Sequence, residues 1–306
     1  MAQPRHPGAL PKENIMRLHP WSAVILAVLA VLPITTSASA QVRYVHPDGD
    51  DANTGTFWGA GDAWQTLRHA LDQLNDPFAD PFTEIWVAMG ESGHVYTPHD
   101  DDPNVSFMVE KPVVIRGGFE GWETNPAQRA PGAVSVISGD LPDSSDWTKD
   151  VLRIKVFNLA HTVVLDSLKF QGPGWPTDPI VHSRAINAEP SALENPFPTE
   201  PFGTLVLLNC KFEQHRVTGV DGSGAQGGAI LATGRTLILR DCAFIGNVAK
   251  HEGGTGPSGY GAGGAISLTR GMLRAARCRF DDNFAGYSGG AVACSESSAS
   301  FANWDL

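Results

Sequence analysis

Gly227-Gly-Ala-Ile230, Gly263-Gly-Ala-Ile266 and Gly289-Gly-Ala-Val292 are three appearances of one tetrapeptide, and the residues downstream of each repeat as well. Counted from Gly228, Gly264 and Gly290, the fourteenth residue is Cys242, Cys278 and Trp304, and the sixteenth is Phe244, Phe280 and Leu306. The nineteenth is Asn247 and Asn283. The second half of the unit occurs twice more upstream, ending in Leu168-Lys-Phe170 and Cys210-Lys-Phe212. Self-similarity of this length is the mark of units that stack to share a core.

Within a unit the apolar positions alternate and then change phase. Leu237 and Leu239 point one way, Arg240-Asp241 turns the chain, and Cys242 and Phe244 point inward again. Short strands wound around one apolar axis require this pattern, with parallel in-register pairing at roughly 4.8 Å between neighbours. The expected fold is therefore all-β, a right-handed parallel β-helix. The glycine pairs permit tight corners, and Asn247 and Asn283 stack at another corner with their amides on turn backbone groups. Unequal spacing places insertions at 172–203 and 248–262.

Upstream, short strands are expected at Glu84–Ala88, Val113–Arg116, Val134–Ile137, Val151–Ile154 and Thr162–Leu165, with Gly or Pro in nearly every gap. Before them, Trp64, Leu67, Leu71 and Leu74 lie at helical spacing, and Asp62-Ala-Trp-Gln65 has the spacing of a capping box. The division is 1–40 as a leader, 41–83 as an N-terminal cap with one short helix, and 84–306 as the β-helix.

The leader reading rests on basic residues ahead of an uncharged run, Trp21 to Ile34, and on Ala38-Ser-Ala40 as a cleavage site before Gln41. Its apolar centre is short of the roughly 20 residues that span a bilayer, and no later segment is a transmembrane helix candidate. Met16 is an alternative start. The whole chain carries −11. A chain this acidic is a poor partner for nucleic acid or an anionic membrane surface.

Phe244-Ile-Gly-Asn247 and Phe280-Asp-Asp-Asn283, each preceded by its Gly-Gly-Ala unit, resemble the repeat of chlamydial polymorphic outer membrane proteins. The N-terminal half is similar to secreted bacterial proteins of the pectin-lyase-like β-helix superfamily. The likeness lies in Tyr44-Val45, Asn53-Thr-Gly55, Trp64-Gln-Thr-Leu67, Ile85-Trp-Val87 and Gly117-Gly-Phe119-Glu-Gly121. The resemblance implies the fold and says little about function, because this architecture hosts lyases, hydrolases, adhesins and tailspikes.

Chemistry on such a scaffold comes from outward residues that stack in rows. Lys169, Lys211, Ala243, Arg279 and Asp305 form one row, and Ser167, Asn209, Asp241, Arg277 and Asn303 another. Gln171, Glu213, Ile245 and Asp281 form a third. A polysaccharide lyase needs carboxylates for Ca²⁺ beside a Lys or Arg base; Lys169, Lys211, Glu213, Asp241 and Asn209 approximate that set. A glycoside hydrolase needs paired carboxylates, for which Asp281-Asp282 is the doublet inside the repeats. The competing reading makes Asp241–Arg277 and Arg279–Asp305 surface ion pairs of small energetic weight. The acidic turns Asp48–Asp51 and Asp100–Asp102 lack the ligand order of a calcium loop. Trp175, Tyr260 and Tyr287 are candidates for stacking on sugar rings.

Cys210, Cys242 and Cys278 share one inward position and read as small buried hydrophobes, with a disulfide between neighbours left open; Cys294 occupies a different inward position. Leu306 falls in mid-repeat, so the sequence reads as a truncated frame whose last apolar residues, Val292, Cys294, Phe301, Trp304 and Leu306, offer an end for association. Taken together, the sequence points to an exported, non-catalytic β-helix serving as a structural or adhesive module at a cell envelope. Its expected partner is an extracellular polysaccharide or a host or neighbour cell surface. The alternatives are a polysaccharide lyase or glycoside hydrolase, with Ca²⁺ if a lyase, and a non-catalytic carbohydrate-binding module. No cofactor or metal site is expected otherwise.

Overall fold

The computed structural model describes residues 41–59, 61–91, 93–98, 102, 104–139, 150–155, 161–172, 183–189, 203–219, 225–251 and 261–303. The leader, Trp175, Tyr260 and residues 304–306 lie outside them. The described residues are mostly strand, and every strand-to-strand ladder among them is parallel. An eight-stranded sheet begins with Val42–Val45, Glu84–Ala88, Val113–Phe119 and Thr162–Asp166. It continues through Thr204–Leu208, Thr236–Arg240, Met272–Ala276 and Ser298–Ala302. The expected upstream strands are all present: Glu84–Ala88 has the expected edges, and the other four have an edge shifted by a residue or more.

The chain passes the sheets in a fixed order. Ile230–Thr233 belongs to a six-stranded sheet, Thr236–Arg240 to the eight-stranded one and Ala243–Ile245 to a five-stranded one. Val248–His251 enters a three-stranded sheet with Arg216–Gly219 and Phe284–Ala285, and Ile266–Thr269 returns to the six-stranded sheet. The expected insertion at 248–262 therefore begins with a strand. Arg184–Ala188, inside the expected insertion at 172–203, is a strand of the six-stranded sheet.

In-register stacking converts the repeat into columns. Phe170, Phe212, Phe244 and Phe280 pair in sequence, and their rings stack nearly parallel with centroids 5.1, 4.7 and 4.9 Å apart. Cys210, Cys242 and Cys278 are buried free thiols beside this stack. The Cys242 thiol is pushed up by its neighbour Cys210 as well as by burial, which keeps it protonated and unreactive. Cys294 is exposed.

Each corner uses a left-handed residue. Ser167, Asn209, Asp241, Arg277 and Asn303 have φ between 50 and 56° at one corner, and Gln214, Gly246 and Asp282 have φ of 60, 63 and 51° at the next. Gly227, Gly263 and Gly289 take φ of 58, 66 and 61° at a third. The second glycines of the first two serve a different purpose: a Cβ on Gly228 would stand 2.0 Å from the Gly264 carbonyl oxygen and one on Gly264 2.0 Å from that of Gly290, so the neighbouring backbone fills that space.

Asn247 ties three backbones together. Its Nδ2 donates to Phe212 O at 3.0 Å, its Oδ1 accepts from His215 N at 3.1 Å, and its own N–H donates to Asn283 Oδ1 at 3.1 Å. Asn283 Nδ2 donates in turn to Phe244 O at 2.9 Å. Asn247→Ala leaves the His215 N–H and the Phe212 carbonyl without that partner in a dry corner. The expected loss is about 1–2 kcal/mol of unfolding free energy, measured by urea denaturation with an unchanged slope.

Two segments pack against the Val42–Val45 end of the described sheets. Gly55 and Trp64 bond to the free edge of Val42–Val45 through Tyr44 N to Gly55 O, Trp64 N to Tyr44 O and His46 N to Trp64 O. The helix α1, Leu67–Asn75, buries Leu67, Ala70, Leu71 and Leu74. Its Asn75 side chain binds Met108 O and Glu110 N on the edge of the six-stranded sheet. The expected Asp62–Gln65 capping box is not formed. Thr66 is the N-cap, accepting from His69 N at 3.1 Å, because Asp62 is drawn into the preceding loop and Gln65 N donates to Asp51. Trp64 accordingly precedes the helix.

Candidate functional site

The candidates for catalysis do not converge. Lys211 and Lys169 are neighbours across paired strands, but Glu213 is engaged by Lys169 at 2.8 Å. Asp281 lies in the same row as Glu213 with the Ile245 strand between them, and Arg279 pairs with it. Asp282 is a left-handed corner residue. Asp241 is held by Arg277 through two hydrogen bonds of 2.6 and 2.7 Å, which keep its carboxyl below the usual range. Asn209 donates to Asp166 at 3.0 Å. Among the described residues no three His, Cys, Asp or Glu side chains assemble as a metal site. Asp51 spends its oxygens on Gln65 N, Thr66 N and Thr66 Oγ1, and Asp102 accepts from Asn104 N.

Two buried carboxylates that the row arithmetic missed anchor the scaffold. Asp166 accepts from Arg116, Arg129, Ser167 and Asn209. Burial alone would raise its carboxyl; hydrogen bonds from Asn209 and Arg129 outweigh burial and lower it. Asp150 takes Arg184 at 2.7 Å, with Arg153 and Asn187 on its other oxygen. Burial opposes this ionisation too, and the Arg184 charge overcomes it. Both carboxylates are fully subscribed, which suits structural roles.

Tyr44, Trp58, Trp86 and Phe119 form an aromatic cluster with Trp86 and Phe119 stacked at 4.6 Å and Tyr44 edge-on to Trp58 at 4.7 Å. Two loops reach outward from it. The Asp62 carboxylate pins residues 54–57 by accepting from Thr54 Oγ1, Thr56 N, Thr56 Oγ1 and Phe57 N. The Glu123 carboxylate pins residues 120–123 by accepting from the N–H groups of Glu120, Gly121 and Trp122. Trp58 Nε1 joins the loops through Glu123 O at 2.7 Å. Each loop displays a ring: Phe57 is 70% and Trp122 60% exposed. Large rings on loops held this firmly pay little ordering cost when a ligand arrives.

Beside the first loop lies a cleft of about 510 Å³ lined by Arg43, Asp51, Asn53, Thr54, Thr56, Trp64, His69, Gln73, Ala79, Asp80 and Phe82. Phe78, next in sequence to the lining residues Ala79 and Asp80, is 94% exposed. Of the rings expected to stack on sugars, Tyr287 is described and exposed, but it lies at the other end of the chain. The exposed rings Phe57, Phe78 and Trp122 were not signalled, because nothing in their local pattern separates a displayed ring from one that folds inward. No family model matches the chain, and neither a curated protein nor a solved structure does.

Proposed function

We propose that this chain is an exported right-handed parallel β-helix that acts as a non-catalytic adhesive module, holding extracellular glycan on the aromatic loops at its N-terminal end. The parallel ladders, the fixed order of sheet visits and the left-handed corners support the fold; right-handed crossover is the rule for parallel strand connections. The observation that carries the function is the display of Phe57 and Trp122 on two carboxylate-pinned loops. Sugar rings present a C–H face that packs on an exposed aromatic ring. The subscription of Glu213, Asp241 and Asp281 by Lys169, Arg277 and Arg279 favours binding over the lyase and hydrolase alternatives.

The test is affinity electrophoresis of the full chain through a panel of extracellular polysaccharides. Retardation by at least one glycan is expected, and Trp122→Ala should weaken it by about tenfold, the loss of roughly 1.4 kcal/mol of contact. The same panel is read for unsaturated products with and without Ca²⁺, and for new reducing ends. Product that vanishes in Lys211→Ala would replace this reading with the lyase. New reducing ends lost in Asp281→Asn would replace it with the hydrolase.

A further inference from the structure

Three consecutive strands of the eight-stranded sheet are apolar on both faces. Thr162-Val-Val-Leu165, Thr204-Leu-Val-Leu-Leu208 and Thr236-Leu-Ile-Leu239 bury Val163, Leu165, Leu205, Leu207, Leu237 and Leu239 in the core. Their alternate residues point outward, and in-register pairing aligns Val114, Val164, Val206 and Ile238 in one half-buried row. Thr162, Thr204 and Thr236 flank that row on one side, and Leu208 on the other. A sheet with one wetted face alternates apolar and polar residues, whereas near-continuous apolar runs belong to strands covered on both faces. The five-stranded sheet turns Lys169, Gln171, Lys211 and Glu213 outward instead. The aliphatic row ends in opposite charges. Beyond Val114 it continues to Glu84, and beyond Ile238 to Arg274. Both hydrogen bonds to the Glu84 side chain, from Trp86 Nε1 and Arg116 Nε, fall on Oε1, so Oε2 keeps acceptor capacity. Arg274 is exposed and makes no ion pair among the described residues.

An acid, four aliphatic residues and a base in one row are self-complementary when the row is reversed. We infer that the outer face of this sheet is the contact between two copies of the chain. The two-fold axis lies in the contact plane, runs along the strands and passes between Val164 and Val206. That rotation reverses the strand order. It sets Val164 of one copy on Val206 of the second, Val114 on Ile238, and Glu84 opposite Arg274 twice over, as an isologous interface requires. A two-fold across the strands would instead set Glu84 against Glu84 and Arg274 against Arg274, and like charges oppose contact. Arg116 and Arg240 also approach under the favoured rotation, but each brings its own carboxylate, Asp166 and Asp241. Six strands from Glu84 to Arg274, three outward positions deep, present roughly 500 Å² per copy. Two copies together reach about 1,000 Å², the lower end for specific association, so the dimer is weak. The inference does not depend on the glycan reading.

Sedimentation equilibrium of the full chain from about 5 to about 500 μM should show monomer and dimer with a Kd of roughly 10–100 μM. Val206→Lys places a charge beside the two-fold and should raise Kd at least about tenfold, with an unchanged far-UV spectrum. Arg274→Glu alters an exposed residue outside the core, and should weaken the dimer by about tenfold because two ion pairs become like-charge contacts. Crosslinking with bismaleimidoethane in a Cys294→Ser background reads the geometry. Val164→Cys and Val206→Cys copies should join when mixed, and each alone should give little product. Efficient product from each alone would assign the contact to the other two-fold and overturn the inference. A chain that stays monomeric up to about 500 μM overturns it too, leaving the face to another segment or another partner. A dimer that neither Val206→Lys nor Arg274→Glu weakens is built on a different surface, which equally overturns it.

Discussion

Phe244→Ala should cost the fold roughly 3–5 kcal/mol, the range for removing a buried aromatic side chain. Phe244 is fully buried and lies between two parallel rings, Phe212 at 4.7 Å and Phe280 at 4.9 Å. Truncation therefore opens a cavity with ring faces on both sides, and in-register strands cannot close over it without breaking their ladders. Phe280→Ala should cost less. Phe280 has one parallel ring, Phe244, while Phe301 meets it edge-on at 6.4 Å. Where repeats contact only their neighbours, stability is close to a sum of repeat and interface contributions, so a wound at Phe244 weakens two interfaces. Urea denaturation of both variants gives the ordering. A loss below about 1 kcal/mol for Phe244→Ala would show that the phenylalanine stack is not the principal contact between repeats.

That stack was legible in the sequence because a column imposes the same demand on every repeat. Phe170, Phe212, Phe244 and Phe280 recur at one offset, and so do Cys210, Cys242 and Cys278. The short strands Val248–His251 and Phe284–Ala285 were not legible, because each is brief and lies beside segments of variable length. Asp62-Ala-Trp-Gln65 misled for a related reason. The spacing of a capping box is local, while the bonds that claimed Asp62 and Gln65 come from residues 54–57 and from Asp51.

The site was less legible than the fold. Row arithmetic found Asp241 and its partner Arg277 but could not find Asp150 with Arg184, whose ladder was hidden in an apparent insertion.

Acid sensitivity should begin well above the carboxylate range, and His215 is the cause. It stands three residues after Phe212, where Asn247 and Asn283 stand after Phe244 and Phe280. An asparagine there bridges backbone groups; the fully buried imidazole leaves both ring nitrogens without a hydrogen-bond partner. The carbonyls of Phe170 and Ser183 favour the charged ring slightly, but neither is in hydrogen-bond geometry, and burial pushes the pKa down to about 4. An unfolded histidine titrates near 6.5. Between those values the unfolded chain binds a proton that the folded chain refuses, so the contribution is complete above pH 6.5 and is lost as the pH falls toward 4. The loss amounts to about 3 kcal/mol. Asp150 and Asp166 also withdraw stability in acid, but their carboxyls are lowered in the fold, so their loss begins only as the unfolded chain's carboxylates protonate near pH 4. The two windows are therefore separable. Urea denaturation from pH 7.5 to 3 should show a fall that starts near 6.5 and steepens below 4. His215→Asn should remove the upper part, keep the lower part, and raise stability at neutral pH by about 1–2 kcal/mol, since it exchanges two unsatisfied nitrogens for a ladder amide. A His215→Asn profile parallel to that of the wild type would assign the acid limb to other groups and leave the buried ring without a thermodynamic signature.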